Sequence, residues 1–293
     1  MKKILLTALL IFFVIHVRGQ FTYGTTGLLN MPTADMQKDK TFLLGGGFLD
    51  KHASPGRWNY DTYNYYINIT FFPWLEVAYT CTLHKSMPND PVYGSGFWVP
   101  STYGKFVNQD RNFSVRLRLW KEGWWKWWTP QIVIGGNDAL HNSWEPGSKV
   151  GIDDNPTNGF YNRYYIAASK HFDFEHIGEV GTHLSWVYNK RREYKLNGLC
   201  VGVNFRFKLK EDGSLWKKAI NGLNLMAEAY PANGQGTSKV TNEKHYDRGV
   251  AIGKNDINIG ACYSIWKDRI NLYGELYGCK DFSGGLQFKI HLK

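Results

Sequence analysis

The chain has 293 residues, of which 43% are hydrophobic and 16% aromatic, and its formal net charge is +10. This length allows one large domain or two small ones, and this composition excludes a helical membrane protein and a disordered chain. A large β architecture remains, and its 12 Trp and 18 Tyr suit either a membrane interface or a soluble carbohydrate-binding protein.

Residues 1–19 are predicted to be a cleaved signal peptide. Lys2 and Lys3 precede an apolar run, and the small residue Gly19 stands before Gln20 at the expected cleavage point. No cysteine lies near this junction, so we do not expect a lipid anchor on the mature chain. We therefore expect an exported protein that does not bind nucleic acid.

Residues 20–40 form a short segment before the first predicted strand. Gly24, Gly27 and Pro32 interrupt any helical or strand periodicity in this segment. It is therefore predicted to be an N-terminal strap that leads into the first strand, or a small plug.

The stretch from Tyr63 to Leu83 shows the repeating unit of the remaining chain. Apolar or aromatic side chains alternate with more polar ones on both sides of Pro73 and Trp74, which predicts two strands joined by a tight turn. Each run has the length that a tilted membrane strand needs, about 9 to 11 residues. The same alternation predicts twelve strands, at residues 41–49, 63–71, 75–83, 113–120, 130–137, 161–170, 180–188, 199–208, 223–230, 257–265, 270–278 and 282–292.

Residues 41–293 are accordingly predicted to form one all-β domain, a transmembrane antiparallel up-and-down β-barrel of about 12 strands. Links between strands favour this topology, because short turns mostly alternate with long loops at residues 85–112, 138–160 and 231–256. A soluble sandwich also alternates, with its apolar face turned inward, so alternation by itself leaves that fold open. The expected location is the outer membrane of a Gram-negative envelope, in contact with outer-membrane lipid.

Tryptophans gather at the turns that are expected to face the periplasm. Rings beside a lysine such as Lys126 are typical of a membrane-interface girdle, because the ring stays partly apolar while the cation reaches the headgroups. The predicted inner-interface girdle consists of Trp74, Trp124, Trp125, Trp127, Trp128, Trp216 and Trp266. Aromatic turns in a soluble sandwich are the alternative interpretation.

The polar faces of the strands carry ionisable residues of both signs. The residues predicted to face the lumen are Glu76, Arg116, Arg118, Arg163, Glu179, His183, Arg206, Glu228, Glu275 and Lys289. Opposite charges on facing strands can pair and close a narrow barrel, or they can line a conduction path. Because the signs are mixed, the pattern indicates no charge selectivity.

No enzyme motif appears in the sequence, and neither a cofactor nor a metal site is expected. His183 and Ser185 share one polar face, and a twelve-stranded barrel can carry a lipid hydrolase. Two same-face neighbours on one strand lie about 7 Å apart, however, which is too far for a nucleophile and its base. We therefore expect no catalytic residues and a protein that is not an enzyme.

Three runs resemble the YjbH family of outer-membrane proteins: TGLLNMPTADM at residues 26–36, RLRLWKE at residues 116–122, and YIAASKHFDF at residues 165–174. This resemblance implies an outer-membrane β-barrel associated with exopolysaccharide, which assists export or surface assembly together with other export components. Loop aromatics would then face the glycan, namely Tyr93, Phe97, Trp98, Tyr103, Trp144 and Tyr246. A passive small porin for oligosaccharides is the alternative, and an outer-membrane lipid hydrolase is a less favoured one.

Overall fold

The computed structural model describes residues 22–50, 53, 62–85, 106–139, 161–189, 196–210, 212–231, 251–252, 255–266 and 268–292. Its strands are β1 (Thr41–Leu49), β2 (Thr62–Phe72), β3 (Leu75–Lys85), β4 (Phe106–Trp120), β5 (Gln131–Asn137), β6 (Arg163–Phe174), β7 (Gly178–Tyr188), β8 (Asn197–Phe207), β9 (Leu223–Pro231), β10 (Ala251–Ile252), β11 (Asn255–Ile265), β12 (Ile270–Tyr277) and β13 (Asp281–His291). A short helix, α1 (Leu215–Asn221), lies between β8 and β9. In these ranges, no helix is long and apolar enough to cross a membrane.

The strands pair antiparallel in a ring that closes on itself. β1 pairs with β2 on one side and with β13 on the other, where Thr41 lies opposite His291. β9 pairs with β11, so twelve strands complete the ring, while the two-residue β10 pairs only with the start of β11. The predicted all-β, twelve-stranded, up-and-down barrel is confirmed.

Among the described side chains, the apolar faces of the twelve ring strands point away from the lumen. In β2, Asn64, Tyr66 and Asn68 are buried, whereas the alternate residues Tyr63 and Tyr65 are exposed. Apolar side chains also point outward on other strands: those of Phe113 and Ile166 are 62% and 52% exposed. A soluble sandwich would bury this face, so the exposed apolar surface decides between the two folds.

Two predicted boundaries differ from the structure by more than two residues. β4 begins at Phe106, inside the range assigned to a loop, because its first residues pair with the end of β3. β6 continues past its predicted end at Lys170 to Phe174, and this extension brings His171 into the barrel wall.

Gly45 allows β1 to pass close to a buried ring. A Cβ atom at Gly45 would overlap the hydroxyl group of Tyr66. That hydroxyl accepts a hydrogen bond of 3.1 Å from Gln287 Nε2. The absence of a side chain at Gly45 therefore leaves room for the Tyr66 ring to extend past β1 and reach Gln287 on β13.

Candidate functional site

Residues 22–37, called the plug below, lie inside the barrel and are almost wholly buried. The middle of the plug is a tight turn, in which the Leu28 N–H donates to the Met31 carbonyl at 3.1 Å and Gly27 pairs with Pro32. This turn is the TGLLNMPTADM run that was predicted to be a strap or a plug. A buried irregular segment needs partners for its backbone polar groups, and the barrel wall supplies them.

The carboxylate of Glu228 on β9 binds the tip of this turn. It accepts hydrogen bonds from three successive backbone N–H groups, those of Leu29 (3.1 Å), Asn30 (2.8 Å) and Met31 (3.0 Å). Asn258 Nδ2 donates a fourth at 2.9 Å. Consecutive N–H groups that point at one anion form a strong binding concavity, so Glu228 fixes the position of the plug tip.

A buried ion pair holds both ends of the same turn. Glu76 Oε2 lies 3.1 Å from Arg116 Nη1, and neither side chain is exposed. The Glu76 carboxylate also accepts hydrogen bonds from the N–H and the hydroxyl of Thr26, at 2.7 and 2.6 Å. Arg116 Nη2 donates to the carbonyls of Thr33 and Asp35. The pair therefore joins β3 and β4 to the beginning and the end of the turn.

Arg163 on β6 also contacts the plug. Its Nη1 donates to the Asn30 carbonyl at 2.6 Å and to the Tyr230 hydroxyl at 3.1 Å. Its guanidinium lies 3.3 Å from the centroid of the Tyr23 ring, a cation–π contact with the first part of the plug. The Asn30 amide also donates to Glu275 on β12.

Apolar contacts complete the fit between the plug and the wall. A Cβ atom at Gly202 would meet Met31 Sδ and Leu28 Cδ2, and one at Gly260 would meet Leu29 Cδ2. Glycines on β8 and β11 thus make room for the three apolar side chains of the turn. Because interiors are closely packed, a larger residue at Gly202 must displace the side chains of Leu28 and Met31.

The structure places the ten predicted lumen residues in two groups. Those that are buried among the plug and the wall are Glu76, Arg116, Arg163, Glu179, His183, Glu228, Glu275 and Lys289. Arg118 and Arg206 are less buried and bind wall or turn residues, Gln131 at 3.3 Å and Asp268 at 3.3 Å. Some of these charges are paired, since Glu76 lies 3.1 Å from Arg116 and Glu179 lies 2.9 Å from Lys208. Glu228 instead accepts hydrogen bonds from N–H groups of the plug and from Asn258.

The inner end of the barrel, where β2 passes to β3, carries a second cluster. Glu122 lies in the turn between β4 and β5, and its oxygens contact Lys170 Nζ at 2.8 Å and His171 Nδ1 at 2.6 Å. Partial burial disfavours the charged carboxylate, but the hydrogen bonds from His171 and Lys170 outweigh this cost and lower the pKa of Glu122 from 4.5 to about 2. Glu122 is therefore ionised at neutral pH and orients the His171 ring.

The serine that the fold brings to His183 is Ser169 on the neighbouring strand, not Ser185 on its own strand. Ser169 Oγ lies 2.8 Å from His183 Nδ1, and Asn204 Oδ1 lies 2.8 Å from His183 Nε2. Ser169 is only 1% exposed, and its oxygen accepts a hydrogen bond from the Ala34 N–H of the plug. The plug thus contacts this hydroxyl directly.

All seven predicted girdle tryptophans are exposed at the inner end or on α1. Lys126 Nζ lies 4.7 Å from the centroid of the Trp125 ring, and Arg269 lies 5.2 Å from that of Trp266. These contacts pair a ring with a cation, as is typical of a membrane interface.

The predicted signal peptide and the loop aromatics Tyr93, Phe97, Trp98, Tyr103, Trp144 and Tyr246 lie outside the described residues.

Sequence reasoning did not single out Asp35, Glu122 or His171. They come from three distant segments, one in each of the three runs that carry the family resemblance. The fold brings these runs together: Arg116 binds the Asp35 carbonyl, and Glu122 binds His171. The signal available in the sequence was that each of these residues lies in one of the three runs that resemble the family.

Comparison with known proteins supports the resemblance in the first part of the chain. The YjbH family model, described as "Exopolysaccharide biosynthesis protein YbjH", matches residues 19–142, which contain the plug and β1–β5. The "Uncharacterized lipoprotein YjbH" of Escherichia coli (strain K12) is 32% identical over 121 residues, 41% of this chain and 14% of that protein. The predicted resemblance is thereby confirmed, although the match spans a small part of that relative's length.

Some solved barrels are also similar in shape. LpxR from Salmonella typhimurium is 11% identical with a TM-score of 0.37, over 85% of this chain and 99% of that one. A mutant of the Rh. blastica porin is 11% identical with a TM-score of 0.28, over 78% of this chain and 55% of that one. Both scores are low, so the assignment of the barrel depends on the strand pairing of this chain itself.

Proposed function

We propose that this chain is an outer-membrane β-barrel, closed by its plug, that assists export or surface assembly of an exopolysaccharide without catalysing a reaction. The observation that carries the proposal is the plug itself, which is held in the lumen by buried side chains on several strands. The matched family is the source of the exopolysaccharide role, and its matched residues 19–142 include the whole plug.

The outward face supports a location in a membrane. Apolar side chains cover the wall between the two ends, and Val201 at the middle of β8 is 48% exposed. Soluble monomers rarely expose apolar surface over so much of their circumference. A bilayer would cover this surface, and the exposed tryptophans would lie at its inner interface.

The filled lumen favours an assembly role over a passive porin. A porin needs an aqueous path between its two openings, whereas here the plug packs directly against Gly202 and Gly260 of the wall. Solute passage through the described part of the barrel would require the plug to move. The long outer loops and their aromatic residues, such as Trp98 and Trp144, remain the proposed glycan-facing surface.

Conductance in a planar bilayer should distinguish the two roles. We expect the wild-type barrel to show no steady large conductance, because the plug occupies the lumen. Gly202→Phe should raise the conductance, since its ring needs the space of Leu28 and Met31. Val201→Phe adds the same ring to the lipid-facing side of the same strand and should behave as wild type. A steady large conductance of the wild type would support the porin instead.

The exopolysaccharide role can be tested in a deletion strain of the organism that encodes the chain. We expect the deletion to reduce surface polysaccharide and the wild-type gene to restore it, because the proposed barrel is part of the assembly route. Purified surface polysaccharide, measured per cell, is the readout. Unchanged polysaccharide in the deletion strain would remove the role taken from the family and leave only the barrel.

A further inference from the structure

Three residues from three separate segments converge at the inner end of the lumen. Asp35 of the plug has Oδ1 3.3 Å from His171 Nε2 and Oδ2 3.8 Å from His183 Nδ1. The ligand atoms of all three residues lie within 4.8 Å of one another. A single ion with ligand bonds of about 2.0–2.2 Å can join atoms at this spacing after small side-chain adjustments.

Neighbouring residues turn the correct nitrogen of each ring toward Asp35. Glu122 Oε2 lies 2.6 Å from His171 Nδ1, so the Nε2 atom of His171 is the one that faces the plug. Asn204 Oδ1 lies 2.8 Å from His183 Nε2, and the Asn204 amide in turn donates to Asn224 at 2.9 Å. His183 therefore presents Nδ1. Hydrogen bonds to the outer nitrogen of a histidine are the usual support of a metal ligand.

We propose that Asp35, His171 and His183 form a binding site for a divalent transition metal of the Zn²⁺ class. Two imidazole nitrogens and one carboxylate are a donor set that such ions prefer, whereas Ca²⁺ and Mg²⁺ prefer oxygen ligands throughout. Ser169 Oγ, 2.8 Å from His183 Nδ1, is placed to be a further ligand or to bind a metal-bound water. Glu122 and Asn204 are positioning residues.

A metal at this site would join the plug to the wall. Asp35 lies near the end of the plug, while His171 and His183 lie on the adjacent strands β6 and β7. The ion would therefore add a link between the plug and the wall at the inner end of the lumen, separate from the Glu228 contact with the plug tip. This inference does not depend on any role in polysaccharide assembly.

The test is metal binding by the tag-free, folded barrel in detergent after treatment with a chelator. We expect uptake of one Zn²⁺ per chain by elemental analysis, and a visible d–d absorption band with Co²⁺ that Zn²⁺ removes. His171→Asn and His183→Gln should abolish both signals, because each keeps the donor toward its supporting residue and loses only the ligand nitrogen. Glu122→Gln should weaken binding by about 10- to 100-fold, as loss of an outer-shell partner does.

His176→Asn is the matched control, since His176 is an exposed histidine in the turn between β6 and β7. It should bind Zn²⁺ as the wild type does, and each variant is first shown to be folded by its shifted migration on an unheated gel. If His171→Asn fails to fold, His183→Gln carries the same test. Absence of saturable Zn²⁺ and Co²⁺ binding would overturn the proposal, as would equal losses in His176→Asn and His171→Asn.

Discussion

Replacing Arg116 by methionine should reduce the free energy of unfolding by about 3–5 kcal/mol, because the Glu76 carboxylate would remain buried without its counter-charge. Both side chains of this pair are fully buried, and Nη1 of Arg116 contacts both carboxylate oxygens, at 3.2 and 3.1 Å. The substitution also removes the donor to the carbonyls of Thr33 and Asp35 in the plug. Unfolding in urea, followed by tryptophan fluorescence of the barrel in detergent, measures the effect.

The double variant Glu76→Gln/Arg116→Met is the informative control. It removes both charges, so it should be clearly more stable than Arg116→Met alone, although Thr26 then loses its charged acceptor. Lys217→Met breaks an exposed pair with Asp212 on the inner end and should not change stability measurably. If Arg116→Met were as stable as Lys217→Met, the buried pair would not hold the plug as inferred.

Replacing Val201 by arginine should destabilise the barrel by about 2–4 kcal/mol and slow its assembly into vesicles, because the charge would lie near the bilayer midplane. Val201 is at the middle of β8, and its outward neighbours on the same strand, Leu199 and Val203, are also exposed and apolar. Heat-modifiable migration on gels reports assembly, and urea titration in vesicles reports stability.

Leu215→Arg is the control for the added charge. Leu215 is exposed on α1 at the inner end, outside the strands, so arginine there should assemble as the wild type does. Asn204→Arg is not a suitable lumen control, because Asn204 is buried and hydrogen-bonded to both His183 and Asn224. Normal assembly of Val201→Arg would mean that the outward face contacts water rather than lipid.

The alternation of apolar and polar side chains, with a period of two residues, was enough to predict the strands and their faces. In β2 and β8 the alternation runs through the whole strand, and the structure has strands within two residues of the predicted bounds. β4 was predicted too short because the polar residues Asn108, Gln109 and Asp110 break the pattern near its beginning. Its observed length is set instead by pairing with the end of β3, and pairing between distant residues leaves no local signature.

By itself, the sequence determined which side chains share a face and that the strands are numerous and long enough for a barrel. The tertiary structure alone decided that the segment before β1 fills the lumen and that Glu228, Arg116 and Arg163 hold it there. It also brought Asp35 to His171. The physical reason is that alternation is a property of neighbouring residues, whereas these contacts arise only when the ring closes around the plug and brings distant strands within hydrogen-bond distance of it.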